Sequence, residues 1–364
     1  MSLNIGVIAG DGIGPEVVNA SLNVLKAVAP TTGLEYQTTD LPYGGAHYLT
    51  TGEVITDQHV EDLRQFDALF LGAVGHPDVK PGILEKGLLL KLRFALDLYI
   101  NLRPVHLLPG VRTPLADKTE ADIDFDVVRE NTEDLYTGAG GIARINTPNE
   151  VATQEMLATR FGVERAIRYA FDLARSKKQA GTGQGHLTLV HKTNVLTHCG
   201  DTWFRAFNEI GEADYADIQR AYHHVDACCM YLVDRPNLYD TVVVPNMFGD
   251  IITDLGAAIA GGMGLAASGN LNPDGTAPSL FEPVHGSAPD IAGQNIANPI
   301  ATIISLAMLL RETGKIKNNQ PAIAAADKID SAIKAVCPKF TGKTMDRLGI
   351  STGDIAKMVI DELN

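Results

Sequence analysis

Short β-rich apolar runs alternate with helical-period segments along the whole chain, and that rhythm leaves few architectures open. Asn4–Ala9 is the first such run; Val18, Leu22, Leu25 and Ala29 then recur at helical spacing and stop at Pro30. Pro15 fits the first helical turn, where its missing N–H costs nothing. Further strand candidates stand at Ala68–Ala73, Phe125–Val128, Leu187–His191 and Thr241–Pro245. Helical patterns separate them, for example Val163, Ala166, Ile167, Ala170, Phe171 and Ala174. This alternation predicts an α/β fold with a largely parallel sheet. At 364 residues the chain is long enough for one large α/β unit or two lobes, each with its own core.

Lys177–Gly185 reads as a surface loop, and Gly-rich stretches at Gly261–Ser268 and Gly269–Gly275 precede a late loop, Phe281–Pro299. That loop ends in a helix start: Asn298 caps, Pro299 takes the first position, and Gly314 follows the last apolar turn. Gly10, Gly12 and Gly14 after the first strand invite a dinucleotide-fold interpretation. The spacing is G-x-G-x-G, however, and no acidic residue clearly holds the ribose position after a second strand. A tight strand-to-helix turn, not a Rossmann fold, is the expectation.

The formal net charge of −14 opposes nucleic acid or an anionic membrane as partner. A protein this acidic that takes an anionic substrate must gather positive charge locally. The four cysteines form no C-x-x-C pair and read as reduced thiols. The chain start shows neither a basic region nor a cleavage site, and Ile300–Leu310, the longest apolar stretch, is too short to span a bilayer. A cytoplasmic location is expected.

Three arginines, Arg93, Arg103 and Arg129, meet the need for local positive charge. Arg103 sits at a break before Pro104, and Arg129 ends an apolar strand, the edge where α/β proteins place ligands. Guanidinium forks suit a dicarboxylate; each arginine taken singly reads more readily as a surface ion-pair residue, and only their company points to a ligand. Asp250 and Asp254 are four apart and share one helical face. Such a pair either holds a hard cation, Mg²⁺ or Mn²⁺, or consists of capping and solvated aspartates. Asp226 is a third candidate ligand, and the adjacent His223 and His224 read as structural. Lys192, after the strand ending at His191, is a candidate base or a solvated lysine; Tyr136 is a candidate proton donor or a core tyrosine.

Taken together, Gly10–Glu16, Arg129–Gly138, His191–Leu196, Asn246–Asp254 and Glu282–Gly293 resemble the β-decarboxylating dehydrogenases, the isopropylmalate/isocitrate family. The motifs stand in the same order over nearly the whole chain. The resemblance implies a two-lobed α/β fold with parallel or mixed sheets that is not a Rossmann fold. Its first lobe, 1–98 plus 262–364, holds the cofactor side and both chain ends. Its second, 99–261, carries the substrate and metal groups and forms a homodimer with shared active sites.

By the same resemblance Arg93, Arg103 and Arg129 grip the malate carboxylates, and Asp250 and Asp254 with Asp226 of the other subunit hold the metal. Lys192, reaching across the dimer, and Tyr136 form the proton-transfer pair. The loop Glu282, His285, Gly286, Ser287, Ala288, Pro289 and Asp290, with Asn298 and Asn194, is implied to bind the cofactor. Asp290 stands where NADP-specific relatives place a lysine, and a carboxylate would repel the 2′-phosphate, so the expected cofactor is NAD.

Leu89 and Leu90 occupy the position of an apolar pocket suited to a branched alkyl group, which implies oxidative decarboxylation of 3-isopropylmalate to 2-oxo-4-methylpentanoate, a leucine-biosynthesis reaction. They are also open to interpretation as helix core. Many isopropylmalate members carry a Leu-Thr-Gly-Gly-type run before the tyrosine. Here the run is Asn131-Thr132-Glu133-Asp134, closer to isocitrate and tartrate enzymes. Decarboxylation of tartrate or D-malate is therefore the alternative, with a non-catalytic regulatory subunit as a distant one.

Overall fold

The computed structural model describes residues 2–363 except 344, 346 and 347. The chain opens with β1 (Leu3–Gly10), α1 (Gly14–Thr32), β2 (Tyr36–Asp40), α2 (Gly45–Thr51), α3 (Asp57–Leu63) and β3 (Ala68–Ala73). A π-helical segment, Glu85–Leu90, runs into α4 (Lys91–Ala95). Next come β4 (Ile100–His106), β5 (Asp124–Glu130), β6 (Gly140–Ala143), β7 (Val151–Gln154), α5 (Arg160–Ala180), β8 (His186–His191) and α6 (Thr197–Asp214). β9 (Gln219–His224), α7 (Val225–Asp234), β10 (Thr241–Val244) and α8 (Asn246–Ile259) follow. The chain closes with β11 (Ala267–Leu271), β12 (Ser279–Pro283), α9 (Ile300–Ile316), α10 (Gln320–Val336) and α11 (Thr352–Asp361).

Two compact units result: 1–98 with 106–120 and 257–364, and 99–105 with 121–256. The sequence expectation put 106–120 and 257–261 in the second lobe. They fold with the first unit, where Gly110 lies against Pro338 and Gly261 against Val111.

In the first unit the strand order is β2-β1-β3-β12-β11. β1 runs parallel to β2 and β3, β12 parallel to β3, and β11 antiparallel to β12. Every residue of β3 is buried, as a strand covered on both faces requires. Its apolar run needs no polar alternation. Leu69, Leu71, Leu88, Leu92 and Leu96 share one core cluster, and α9 packs on β12, α10 and α1.

In the second unit the order is β4-β5-β10-β8-β9, with β5, β10, β8 and β9 mutually parallel. The face of α5 carrying Val163, Ala166, Ile167, Ala170, Phe171 and Ala174 is buried, as its spacing predicts. β6 and β7 form an antiparallel hairpin whose residues are all exposed.

The fold is thus α/β with mostly parallel strands. The glycine turn is a packing device: Gly12 has a φ of +57°, and a Cβ there would lie 1.9 Å from the Ser287 carbonyl oxygen. Some local expectations are corrected. α1 continues past Pro30 to Thr32, since a proline in the last turn loses a single helical bond, and Gly33 closes it in the left-handed conformation. Arg103 lies inside β4 and not at a break. Helix α5 extends through Lys177 to Ala180, because Lys177 is a buried cation paired with Asp126 at 2.7 Å and Asp240 at 3.1 Å. Phe281–Pro283 is strand, so the late loop begins at Val284, and α9 runs past Gly314.

Candidate active site

β5 and β10 are neighbours in parallel register, with Val244 opposite Arg129. Their carboxyl ends therefore deliver Arg129 and, at the start of α8, Asn246 to the same edge. Arg129 is only 1% exposed. Its Nε donates to Asn246 Oδ1 at 2.9 Å and its Nη1 to Asp250 Oδ1 at 2.5 Å. Nη2 meets no acceptor among the described residues. A buried, fixed guanidinium with one spare N–H group is a ready carboxylate receptor.

Tyr136 sits in a 3₁₀ turn, Asp134–Thr137, under the Arg129 guanidinium, whose Cζ lies 5.2 Å from the ring centroid. Burial pushes the pKa of its hydroxyl up, the Arg129 charge opposes this, and the Asp250 charge adds to it. Asp254 stands one turn beyond Asp250. Burial and then the Asp250 charge raise its carboxyl above the usual range, while Arg103 and Arg129 pull it down. Arg103 is oriented by its Nε bond to Asn101 Oδ1 at 2.7 Å. Two arginines, two aspartates and the tyrosine are thus gathered in the second unit.

The aspartate pair fits a divalent cation. Two hard oxygen donors repel one another on one helix face, and a cation relieves that repulsion. Among the described residues no group of three metal-ligating side chains forms within one chain. Asp226 is not beside the pair. It stands exposed in the first turn of α7, bonded to Lys192 Nζ, and that bond chiefly holds its carboxyl below the usual range. Asn194 is exposed on the turn after β8. His223 and His224 are structural, bonded to the hydroxyls of Tyr239 and Tyr222.

The remaining candidates lie in the first unit. Arg93, buried in α4, approaches Glu282 Oε1 at 4.0 Å, and Asn270 Nδ2 holds the same oxygen at 2.8 Å. Leu89 packs against the core cluster, whereas the half-buried Leu90 does not belong to it. In the following loop His285 Nε2 is buried without a partner among the described residues, Gly286 is exposed and Ser287 is buried. Ala288 adopts a left-handed φ of +38° directly before Pro289. A strained backbone, an orphaned ring nitrogen and an exposed carboxylate at Asp290 fit a polar nucleotide. Asn298 is already engaged: Oδ1 accepts from Ile300 N–H at 3.0 Å and Nδ2 donates to Met345 O at 2.9 Å.

Sequence reasoning quoted Asn246 without assigning it, and missed Asn270. Asn246 orients a charged group from a distant segment and Asn270 one on the neighbouring strand, and a polar amide at a strand or helix end gives no pattern of its own. Behind the site Glu130 and His191 are buried. Burial pushes the Glu130 carboxyl up to about 7 despite bonds accepted from Thr132 and Glu133, and the His191 imidazole down to about 4.

The family model described as isocitrate/isopropylmalate dehydrogenase matches residues 4–362. A 3-isopropylmalate dehydrogenase of Thermobifida fusca is 54% identical over 332 residues, covering 91% of this chain and 90% of that protein. One of Mycobacterium leprae is 49% identical over 358 residues, 98% and 99% of the two chains. The crystal structure of isocitrate dehydrogenase from Methylococcus capsulatus superposes with a TM-score of 0.84 at 35% identity, covering 99% of each. A likeness of this extent takes in every element that carries the arginines, the aspartates and the tyrosine, and it makes this chain a member of the isocitrate/isopropylmalate dehydrogenase family.

Proposed function

We propose that this chain is a 3-isopropylmalate dehydrogenase, oxidising and decarboxylating its substrate with NAD and a divalent cation, Mg²⁺ or Mn²⁺. The cluster of Arg129, Asp250 and Tyr136 carries this proposal: a carboxylate receptor is bonded to a cation ligand, and the ring of a phenolic proton donor lies 5.2 Å from the same guanidinium carbon. Arg93, Arg103 and Arg129 bind the malate carboxylates, and Leu90 with Leu89 meets the isopropyl group. Asp250 and Asp254 with the partner chain's copy of Asp226 hold the cation. Bound, the cation lowers the pKa of the substrate hydroxyl and steadies charge on that oxygen, while NAD accepts the hydride.

Lys192 Nζ takes the hydroxyl proton, and Tyr136 Oη returns a proton to the carbon that loses carbon dioxide. A phenol whose pKa is raised keeps that proton until it is needed. Asp290 accepts from the ribose hydroxyls and so favours NAD over NADP. Support for a homodimer comes from the exposed apolar side chains Ile142, Val151, Met230, Val233 and Ile251, and from a hairpin exposed on both faces, which is marginal alone. Four free thiols fit the cytoplasm, and among the described residues no helix is long and apolar enough to cross a membrane.

The deciding experiment measures NADH formation with 3-isopropylmalate, D-malate, tartrate and homoisocitrate side by side, with and without Mg²⁺. The highest kcat/KM should fall to 3-isopropylmalate with the metal present. A preference for D-malate or tartrate would move the assignment to those substrates.

A further inference from the structure

Asp134 has no part in the scheme above, yet it holds a backbone conformation that residues with a Cβ adopt only when their surroundings enforce it. Its φ is +70°. Its N–H donates to Leu157 O at 2.9 Å, Oδ1 accepts from Leu135 N–H at 2.7 Å, and Oδ2 accepts from Met247 N–H at 2.8 Å. The last bond satisfies an orphan donor in the first turn of α8 from a different segment of chain. Beside it, Asn246 Nδ2 donates to Glu133 O at 3.2 Å, while Glu133's own carboxylate accepts from Thr159 N–H at 2.9 Å at the start of α5. Residues 133 and 134 therefore clasp the beginning of α8. The same turn carries Tyr136, and α8 carries Asp250.

We propose that Asp134 is a positioning residue for the proton donor: by strapping the Tyr136 turn to the first turn of α8, it sets the phenol against Asp250 and Arg129. This rests on Tyr136 acting as the proton donor. If Asp134 served local structure alone, glycine would serve better, because glycine enters the left-handed region freely. Glycine cannot make the bond to Met247.

The test compares Asp134→Gly, Asp134→Asn and Tyr136→Phe with the native enzyme, using 3-isopropylmalate, NAD and Mg²⁺. Asp134→Gly relieves backbone strain but leaves Met247 N–H without its acceptor, so Tm should shift by no more than a few degrees. KM should hold within about twofold, while kcat falls about 10- to 100-fold, the effect of a small displacement of a reacting group. Its solvent deuterium isotope effect on kcat should increase as proton delivery becomes limiting. Asp134→Asn, whose Oδ1 still accepts one of the two N–H groups, should fall between. A native kcat in Asp134→Gly, or a lower kcat with an unchanged isotope effect, overturns the inference. Native turnover in Tyr136→Phe overturns the proton-donor role and this inference with it. Lost turnover in Tyr136→Phe beside native turnover in Asp134→Gly overturns this inference alone.

Discussion

Arg129 Nη1 donates to Asp250 Oδ1 at 2.5 Å, so a proposed substrate receptor and a proposed cation ligand orient one another before either meets its ligand. Arg129→Lys keeps the charge but loses the planar fork and the Nε bond to Asn246. KM for the malate substrate should rise about 10- to 100-fold, the value of one or two charge-assisted hydrogen bonds. Steady-state kinetics with 3-isopropylmalate would check this, and an unchanged KM would remove Arg129 from substrate binding.

Lys192 Nζ bonds to Asp226 in the first turn of α7. Lys192→Met should lower kcat by about 10²- to 10⁴-fold, the usual contribution of a general base, while NADH binding followed by fluorescence stays native. Near-normal turnover in this variant would overturn its role.

What could be read from sequence followed the length of the signal. The alternation of strands and helices placed β1, β3, β5, β8 and β10 correctly, because a buried parallel strand is a long apolar run. β2 was missed: its Tyr-Gln-Thr-Thr-Asp run is largely exposed and polar, and pairing with β1 holds it extended. Lys177 looked like the start of a polar loop, since its partners Asp126 and Asp240 are remote in sequence. The arginines, aspartates and tyrosine were legible as a set through motif order, whereas Asn246 and Asp134 act through hydrogen bonds to segments far along the chain, which no spacing announces.

Leu89 and Leu90 are adjacent, but only Leu89 also packs on the core cluster, so their variants should differ in stability. Leu89→Ala should lower Tm, because its side chain packs against the core cluster. Leu90→Ala should lower kcat/KM for 3-isopropylmalate about tenfold relative to D-malate, by loss of alkyl contact. Equal loss on both substrates would exclude Leu90 from the alkyl pocket.

Asp290 is exposed beyond a loop start fixed by Ser287. Asp290→Lys should move the kcat/KM preference from NAD toward NADP, measured with both cofactors at saturating substrate. A native preference in this variant would place cofactor choice elsewhere.

Glu130 and His191 give opposite pH slopes. With its carboxyl pushed up to about 7 from 4.5, Glu130 keeps a proton that the unfolded chain has lost, so its contribution to stability falls as pH rises from 4.5 to 7. His191, pushed down to about 4 from 6.5, stays neutral where the unfolded chain is charged, and its contribution is lost as pH falls from 6.5 to 4. Each effect is on the order of 3–4 kcal/mol, so they offset one another between pH 4.5 and 6.5. Glu130→Gln removes one of them. Its Tm should drop on acidification across that window by several degrees more than the native value; an identical pH dependence would show that Glu130 ionises normally in the fold.

Gly12 touches the Ser287 carbonyl so closely that no larger residue fits, and Ile13 N–H grips the same oxygen at 2.8 Å. Position 12 and the segment 287–290 are consequently one unit of change, although they lie far apart in the chain. A designer who swaps the proposed cofactor loop for that of another enzyme inherits its N-terminal turn as well, and a graft that alters the path at 287 must carry a matching turn at 10–14.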